Sequence, residues 1–294
     1  MGEPSVDDVY EQVRNAVGVA AHDAPPTLAQ VAPGIRVLAL RTPTLPPAAH
    51  TNTYVVGPDR GPVLVVDPGS PYGDQQAVLD AALADAGCEV AAVLLTHHHG
   101  DHVGGATALA ARWSVPVAAH AATARRLAGR IAITRELSDG ESIEGLTCVL
   151  TPGHAEGHLC FERGDATIAG DMVAGLGTIL IDPDEGDMAL YLASLGTLLA
   201  RGTKTLLPAH GPAITDGPAK LREYVAHRTM REDRVVAALA ARASASLAEL
   251  VADVYSDTPR ILWPLAERSL RAHLDKLVRE DRAREAAPGR WTRG

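Results

Sequence analysis

The chain has 294 residues, 46% hydrophobic and 21% charged, which suits one large domain plus a small one and excludes a disordered polymer. Its net charge of −9 excludes a globally basic nucleic-acid binder. No stretch reaches membrane-spanning length and the polar first 25 residues hold no apolar signal core, so a cytoplasmic protein without a membrane partner is expected.

Residues 1–30 read as an extension, in which "VDDVYEQVRNAVGVA" can form an amphipathic helix that "HDAPPTLAQ" breaks. From "GIRVLAL" onward short β-rich runs dominate: "TNTYVVG", "PVLVVDPG" and "VAAVLLTHHH". Between the last two, "DQQAVLDAALADAGC" is apolar at helical spacing, which makes a strand–helix–strand unit. Functional residues of α/β proteins collect at the carboxyl ends of such strands. A helix over "GATALAARWS" follows, then strand-like runs "PVAAH", "LTCVLTPGH", "HLCFERG", "ATIAGDMV" and "KTLLPAHGP". The fold class is therefore α/β (α+β), two packed sheets with helices outside. Cys88, Cys148 and Cys160 are odd in number and form no CxxC pair, so buried reduced thiols are expected.

After Pro218 the character changes. "AKLREYVAHRTMREDRVVAALAARA", "SLAELVADVY" and "LWPLAERSLRAHLDKLVRED" read as three helices, and "RAREAAPGRWTR" as a terminal hairpin, the outline of a winged-helix module. Residues 1–218 carry 12 Lys+Arg against 25 Asp+Glu, whereas residues 219–294 carry 15 against 11. The expected division is thus an extension over 1–30, a catalytic domain over 31–218 and a basic winged-helix-like domain over 219–294.

The stretch "LLTHHHGDHVGG", residues 94–105, concentrates four histidines and an aspartate in one turn. His97 and His99, one residue apart, face the same side of an extended segment, and Asp101 and His102 follow as the chain turns. Imidazole nitrogen with carboxylate oxygen suits zinc, iron or manganese. His154 in "TPGH", Asp171 in "AGDM" and His210 in "PAHG" each sit where a strand gives way to a tight turn. Seven such donors make two metal sites that share one carboxylate. His98 is expected as a spacer pointing away from them.

"THHHGDH", "TPGH", "GD" and "PAHG", in this order and spacing, resemble the metallo-β-lactamase superfamily. The resemblance implies an αββα sandwich over residues 31–218 with a dinuclear site. In it His97, His99 and His154 would bind the first ion, Asp101, His102 and His210 the second, with Asp171 bridging. "TNTYVVG", "GDMVAGLGT", "YVAHRTMRE" and "DTPRILWPLAERSLRAHLDKLVRE" further resemble the subgroup typified by the human β-lactamase-like protein 2, which has a small winged-helix-like C-terminal domain. No Cys stands near Asp171, unlike the best-known zinc β-lactamases, so the resemblance points to the esterase and thioesterase branches.

Two divalent ions about 3.5–4 Å apart, zinc being expected, would hold a bridging hydroxide as nucleophile at neutral pH. Asp101 is the natural catalytic group to orient it or carry its proton. Asp67 in "VVDPG" is either a carboxylate that receives a ligand's second N–H or a turn former. Asn52 and Thr53 line the pocket or belong to a hairpin turn. His158 is a support for the ligands, a substrate contact or a solvated turn residue. The favoured substrate is a small-molecule thioester, ester or lactone, free or carried on a phosphopantetheine-type group. The winged-helix domain would then be a lid that places His227, Arg228 or Arg231 over the pocket, a solvated helix face being the alternative for these. The competing reading is a single-strand endoribonuclease, as the subgroup's human member is described, with the basic tail on phosphates. Aromatics make up only 3% of the chain, so stacking platforms for RNA bases are scarce. A DNA-binding regulator would have no use for seven ligands, and an iron-binding redox protein would lack a flavin-type domain.

Overall fold

The computed structural model describes Val9, residues 11–13 and residues 27–294 apart from Leu176. Most of the extension expected over 1–30, including most of its helix, lies outside the described residues.

A seven-stranded sheet holds β1 (Ala29–Ala32), β2 (Ile35–Arg41), β3 (His50–Val56), β4 (Gly61–Val66), β5 (Cys88–Leu94), β6 (Val117–His120) and β7 (Arg135–Leu137) in chain order. The second sheet runs in the order β12 (Thr205–Pro208), β11 (Ala166–Gly170), β10 (Leu159–Arg163), β9 (Leu146–Leu150), β8 (Ser142–Ile143). Their inner faces meet through Leu64, Val66 and Leu94 on one side and Leu146, Cys148, Phe161 and Ile168 on the other. Alternate residues Val63, Val65 and Val93 turn outward under α1 (Gly73–Asp85), α2 (Gly100–Val103), α3 (Ala106–Trp113) and α4 (Ala121–Leu127). On the far face, Val149, Cys160 and Ala169 lie under α5 (Met188–Arg201) and the start of α6 (Gly217–Ala240). The layers are αββα. Burial on both faces explains why the strands read as near-continuous apolar runs.

No predicted element covers α4 or α5. In α5, Tyr191, Leu195 and Leu198 repeat at helical spacing and are buried, Asp187 caps the first turn by accepting from Ala189 N and Leu190 N, and Gly202 ends the last at φ 76°. All three cysteines are buried and free, and burial pushes Cys148 up to about 11 and Cys160 up to about 12.

The C-terminal module has its own core around Val235, Leu250, Leu270, Leu274 and Trp291. Its elements are α7 (Leu247–Val254), α8 (Trp263–Arg279) and a sheet of β13 (Ala245–Ser246), β15 (Arg290–Arg293) and β14 (Ala283–Ala287). Ser246 and Glu249 close a reciprocal capping box on α7. Helix α6 is shared: Leu221 and Tyr224 pack on the second sheet's side, Val235 and Leu239 in the small core. A cut at residue 218 therefore falls at the start of an element that belongs to both bodies.

Candidate metal centre

Strands β4 and β5 are parallel, as are β11 and β12, and β9 runs parallel to β11 across β10. Their carboxyl ends share one edge, so Asp67, the 96–102 turn, His154, Asp171 and His210 converge there. Main-chain bonds from Leu159 N to Thr96 O (2.9 Å) and from Asn52 N to Ala209 O (2.7 Å) join the two sheets at that edge. Gly69 is required by close approach, because a Cβ there would run into the Asp101 carbonyl.

The seven sequence-expected donors form two groups. His97, His99, His154 and Asp171 offer donor atoms within 4.8 Å of one another, and so do Asp101, His102 and His210. In the first group His97 Nε2 stands 2.9 Å from His99 Nδ1, and His154 Nε2 3.3 Å and 3.1 Å from these two. Asp171 reaches both groups, with Oδ2 3.5 Å from His154 Nε2 and Oδ1 3.5 Å from His102 Nε2 and 3.4 Å from His210 Nε2. Asp101 Oδ2 lies 3.5 Å from His210 Nε2. Ligands about 2.0–2.1 Å from a tetrahedral ion stand about 3.3 Å apart, so this spacing fits divalent cations.

Two further observations test the fit. His102 Nε2 and Asp171 Oδ1 are buried with no hydrogen-bond partner among the described residues, although both point into the cluster. An orphaned nitrogen and oxygen aimed at one point are what a cation satisfies. Second, burial, reinforced by the neighbouring imidazoles, holds His97 well below the ordinary histidine range and His154 at about 4. His97 and His154 are thus neutral at pH 7, the form that donates a lone pair, while at His99, His102 and His210 the nearby carboxylates outweigh burial and raise the imidazoles above the ordinary range. Burial opposes ionisation of Asp101 and Asp171, but the surrounding imidazoles outweigh it and hold both carboxyls below the usual range.

The opposite nitrogen of each of the five imidazoles is held. His97 Nδ1 lies 3.0 Å from Thr96 Oγ1, and His102 Nδ1 donates to Asp67 Oδ2 at 2.8 Å. His99 Nε2 donates to Glu185 Oε1 (2.7 Å), His154 Nδ1 to Leu180 O (2.9 Å) and His210 Nδ1 to His50 O (3.1 Å). Such bonds set the tautomer and aim the other nitrogen. Asp67 also accepts from Thr96 N (2.8 Å) and Thr96 Oγ1 (2.6 Å), and so ties its strand end to the next. It has φ 49°, so it shapes the turn as well.

Several expected roles change. Thr53 is fully buried on β3 and donates to Asp67 O at 2.8 Å, so it neither lines a pocket nor sits in a hairpin turn. Asn52, also buried on β3, gives both amide hydrogens to Pro208 O and Gly211 O, each at 2.8 Å, which holds the His210 loop. His158 is fully buried: its Nε2 accepts from Asp171 N at 3.1 Å while its Nδ1 lies 2.9 Å from Thr151 Oγ1. It supports the Asp171 backbone rather than meeting solvent or substrate. His98 is more than a spacer, since its Nε2 donates to Glu185 Oε2 at 2.8 Å. Arg228 and Arg231 are not on a solvated face either. Both are buried, Arg228 donating to Ile179 O and Arg231 to Val254 O and Asp257, so neither guanidinium is free to meet a substrate. His227 is half-buried beside them on α6.

Sequence reasoning missed Glu185, Thr96 and the Leu180 and His50 carbonyls. Glu185 stands in the acidic run "DPDEGD", which reads as a solvated loop. His98, His99 and Glu185 also cluster within 4.8 Å, but each Glu185 oxygen already faces one imidazole N–H, so the group is complete as hydrogen bonds.

Compared with known proteins, residues 46–210 match the Metallo-beta-lactamase superfamily and residues 246–291 the Beta-lactamase associated winged helix domain. The chain is 32% identical over 281 residues to the lactamase-like protein vrtG of Penicillium aethiopicum, covering 84% of this chain and 86% of that one. It is 34% identical over 222 residues to a protein of Aspergillus chevalieri named atrochrysone carboxyl ACP thioesterase, covering 71% and 69%. A metallo-beta-lactamase family protein from Thermus thermophilus shares the fold with a TM-score of 0.74 at 23% identity, covering 90% of this chain and all of that one.

Proposed function

Since the chain belongs to the metallo-β-lactamase superfamily and is a hydrolase of that fold, we propose that it cleaves acyl thioesters borne on a carrier group, using two zinc ions. The observation that carries the reading is a seven-donor His/Asp cluster, without a thiolate, in a chain similar to a named ACP thioesterase. His97, His99 and His154 would hold one ion and Asp101, His102 and His210 the other, with Asp171 between them. Such ions supply a water of lowered pKa and an electrophile for the acyl oxygen. Asp101 is the carboxylate suited to orient that water and take its proton, with its side chain 16% exposed where the metal-facing His102 has none. Asp67 and Glu185 keep His102 and His99 aimed throughout. A thiol leaves as thiolate, with a pKa near 8.5, so no separate general acid is required.

The nuclease alternative has less support. In the C-terminal module Arg268, Lys276, Arg279 and Arg282 all pair with carboxylates of this chain. No helix among the described residues is long and apolar enough to cross a membrane.

The test is hydrolysis by zinc-loaded protein of a panel of acyl-pantetheine thioesters and of a fluorogenic single-stranded RNA, with Asp101→Ala as control. Thioester turnover lost in the control, with RNA intact, is the expected result. RNA cleavage that fades with salt and vanishes in the control would overturn it. Metal analysis of the purified protein separates zinc from iron or manganese, which the same donors accept.

A further inference from the structure

Helix α8 follows the turn after α7, the place of the recognition helix in helix-turn-helix proteins. Here it is turned onto its own chain. Arg268 donates through Nε to Asp182 Oδ2 and through Nη2 to Asp182 Oδ1 (2.7 Å) and Asp184 Oδ2. Asp182 is nearly fully buried, with 4% of its side chain exposed, so this fork is a partly desolvated pair and not a solvated one. At the helix end Arg279 donates to Asp187, and from α6 Arg228 donates to Ile179 O. Three arginines thus hold the segment 179–187 at three points.

That segment supports two members of the first donor group, His99 and His154. Leu180 O receives His154 Nδ1, and Glu185 receives His99 Nε2 and His98 Nε2. Its turn is closed by Gly186 N donating to Asp182 O (2.7 Å), and it lies on the "TPGH" loop through Asp187 N donating to Gly153 O (2.7 Å). In the second group the rings are held at strand ends, His102 by Asp67 and His210 by the His50 carbonyl, although α6 also reaches this side, where Tyr224 accepts from Ala174 N beside the Gly175 N that donates to His210 O.

We propose that the winged-helix domain is a clamp on the metal centre, with Arg268 a positioning residue that acts through Asp182 and Glu185 on His99 and tightens the first cation site selectively. The inference rests on the metal-site reading above. It also assigns to the face of α8 a partner within the chain where a nucleic-acid binder would use it on phosphates.

The experiment titrates zinc into metal-free full-length protein against a chromophoric chelator, and records the cobalt-substituted visible spectrum of each variant. Wild type should take two equivalents. Arg268→Gln should weaken one equivalent about tenfold, leave the other within twofold, and alter the cobalt spectrum. In a Glu185→Gln background Arg268→Gln should add less than twofold, because both act on His99. Equal affinity in Arg268→Gln and wild type, or effects of the two substitutions that multiply, would overturn the clamp. A wild type that takes no zinc would sink the metal-site reading itself and the clamp with it. Should Arg268→Gln fail to fold, Arg268→Lys carries the same test: it keeps a charge beside Asp182 without the fork, and should weaken the same equivalent by a smaller factor.

Discussion

The two donor groups of this centre are built differently. His102 and His210 are held from within the sandwich, by Asp67 at the end of β4 and by the first residue of β3. His99 and His154 are held by a loop, residues 179–187, that the C-terminal helices secure. Strand termini in a double-sided core have little freedom, whereas a loop has only the contacts that pin it. One half of the site is therefore specified by the sheet and the other is open to adjustment by a second body.

Loss of a donor from either group has the largest expected effect. His99→Ala and Asp101→Ala should each reduce thioester hydrolysis on the order of 10³-fold, measured as kcat/KM with zinc in excess. Activity within tenfold of wild type in either would dissolve the distinction between the groups.

Removing the outer partners separates the two groups. Asp67→Asn should cost about 100-fold in affinity for one zinc equivalent and Glu185→Gln about tenfold for the other. Asp67 is the stronger case because it is buried and joins Thr96 as well as His102, whereas Glu185 is 20% exposed. Both substitutions affecting the same equivalent would contradict the division.

A stability measurement probes the body that carries the clamp. Glu232 on α6 accepts from Lys276 (2.8 Å) and Arg282 and faces His273 at 3.9 Å, which fixes α8 against α6. Burial opposes its charge, but these partners hold its carboxyl at about 2, below the ordinary 4.5. A depressed carboxyl stabilises the fold fully above pH 4.5, and the contribution is lost as the pH falls toward 2. Glu232→Gln should lower stability at pH 7 by about 2–3 kcal/mol and flatten its decline between pH 4.5 and 2 in urea titrations. An unchanged pH profile would remove Glu232 from the account.

The smallest effect concerns Thr53. Thr53→Val loses one buried hydrogen bond to the Asp67 carbonyl and should cost about 1 kcal/mol, with KM unchanged. A raised KM with unchanged stability would return Thr53 to the pocket.

The seven candidate donors that the fold gathers can be picked out of the sequence because each stands within a few residues of a strand end and a Gly- or Pro-containing turn. Two packed sheets with helices outside were legible because apolar runs and helical spacing are local patterns, and the αββα order came from the family resemblance. Helix α5 has no counterpart among the predicted elements although its cap, its spacing and its closing glycine are all present in the chain. Glu185 is a different kind of omission. It lies 86 residues from His99, and no periodicity or spacing links the two. The same holds for Asn52, which bonds a carbonyl 156 residues away, and for Arg268, 86 residues from Asp182.

The sequence by itself determined which side chains are candidate donors, that each stands near a strand end, and the presence of a basic helical module at the end. Tertiary structure alone decided where that module's charges go. Short-range patterns report what a segment prefers, but a pairing across many tens of residues exists only once the chain has closed the loops between them. The arginines of α8 read as a surface for phosphates until the fold sets Asp182, Asp184 and Asp187 against them.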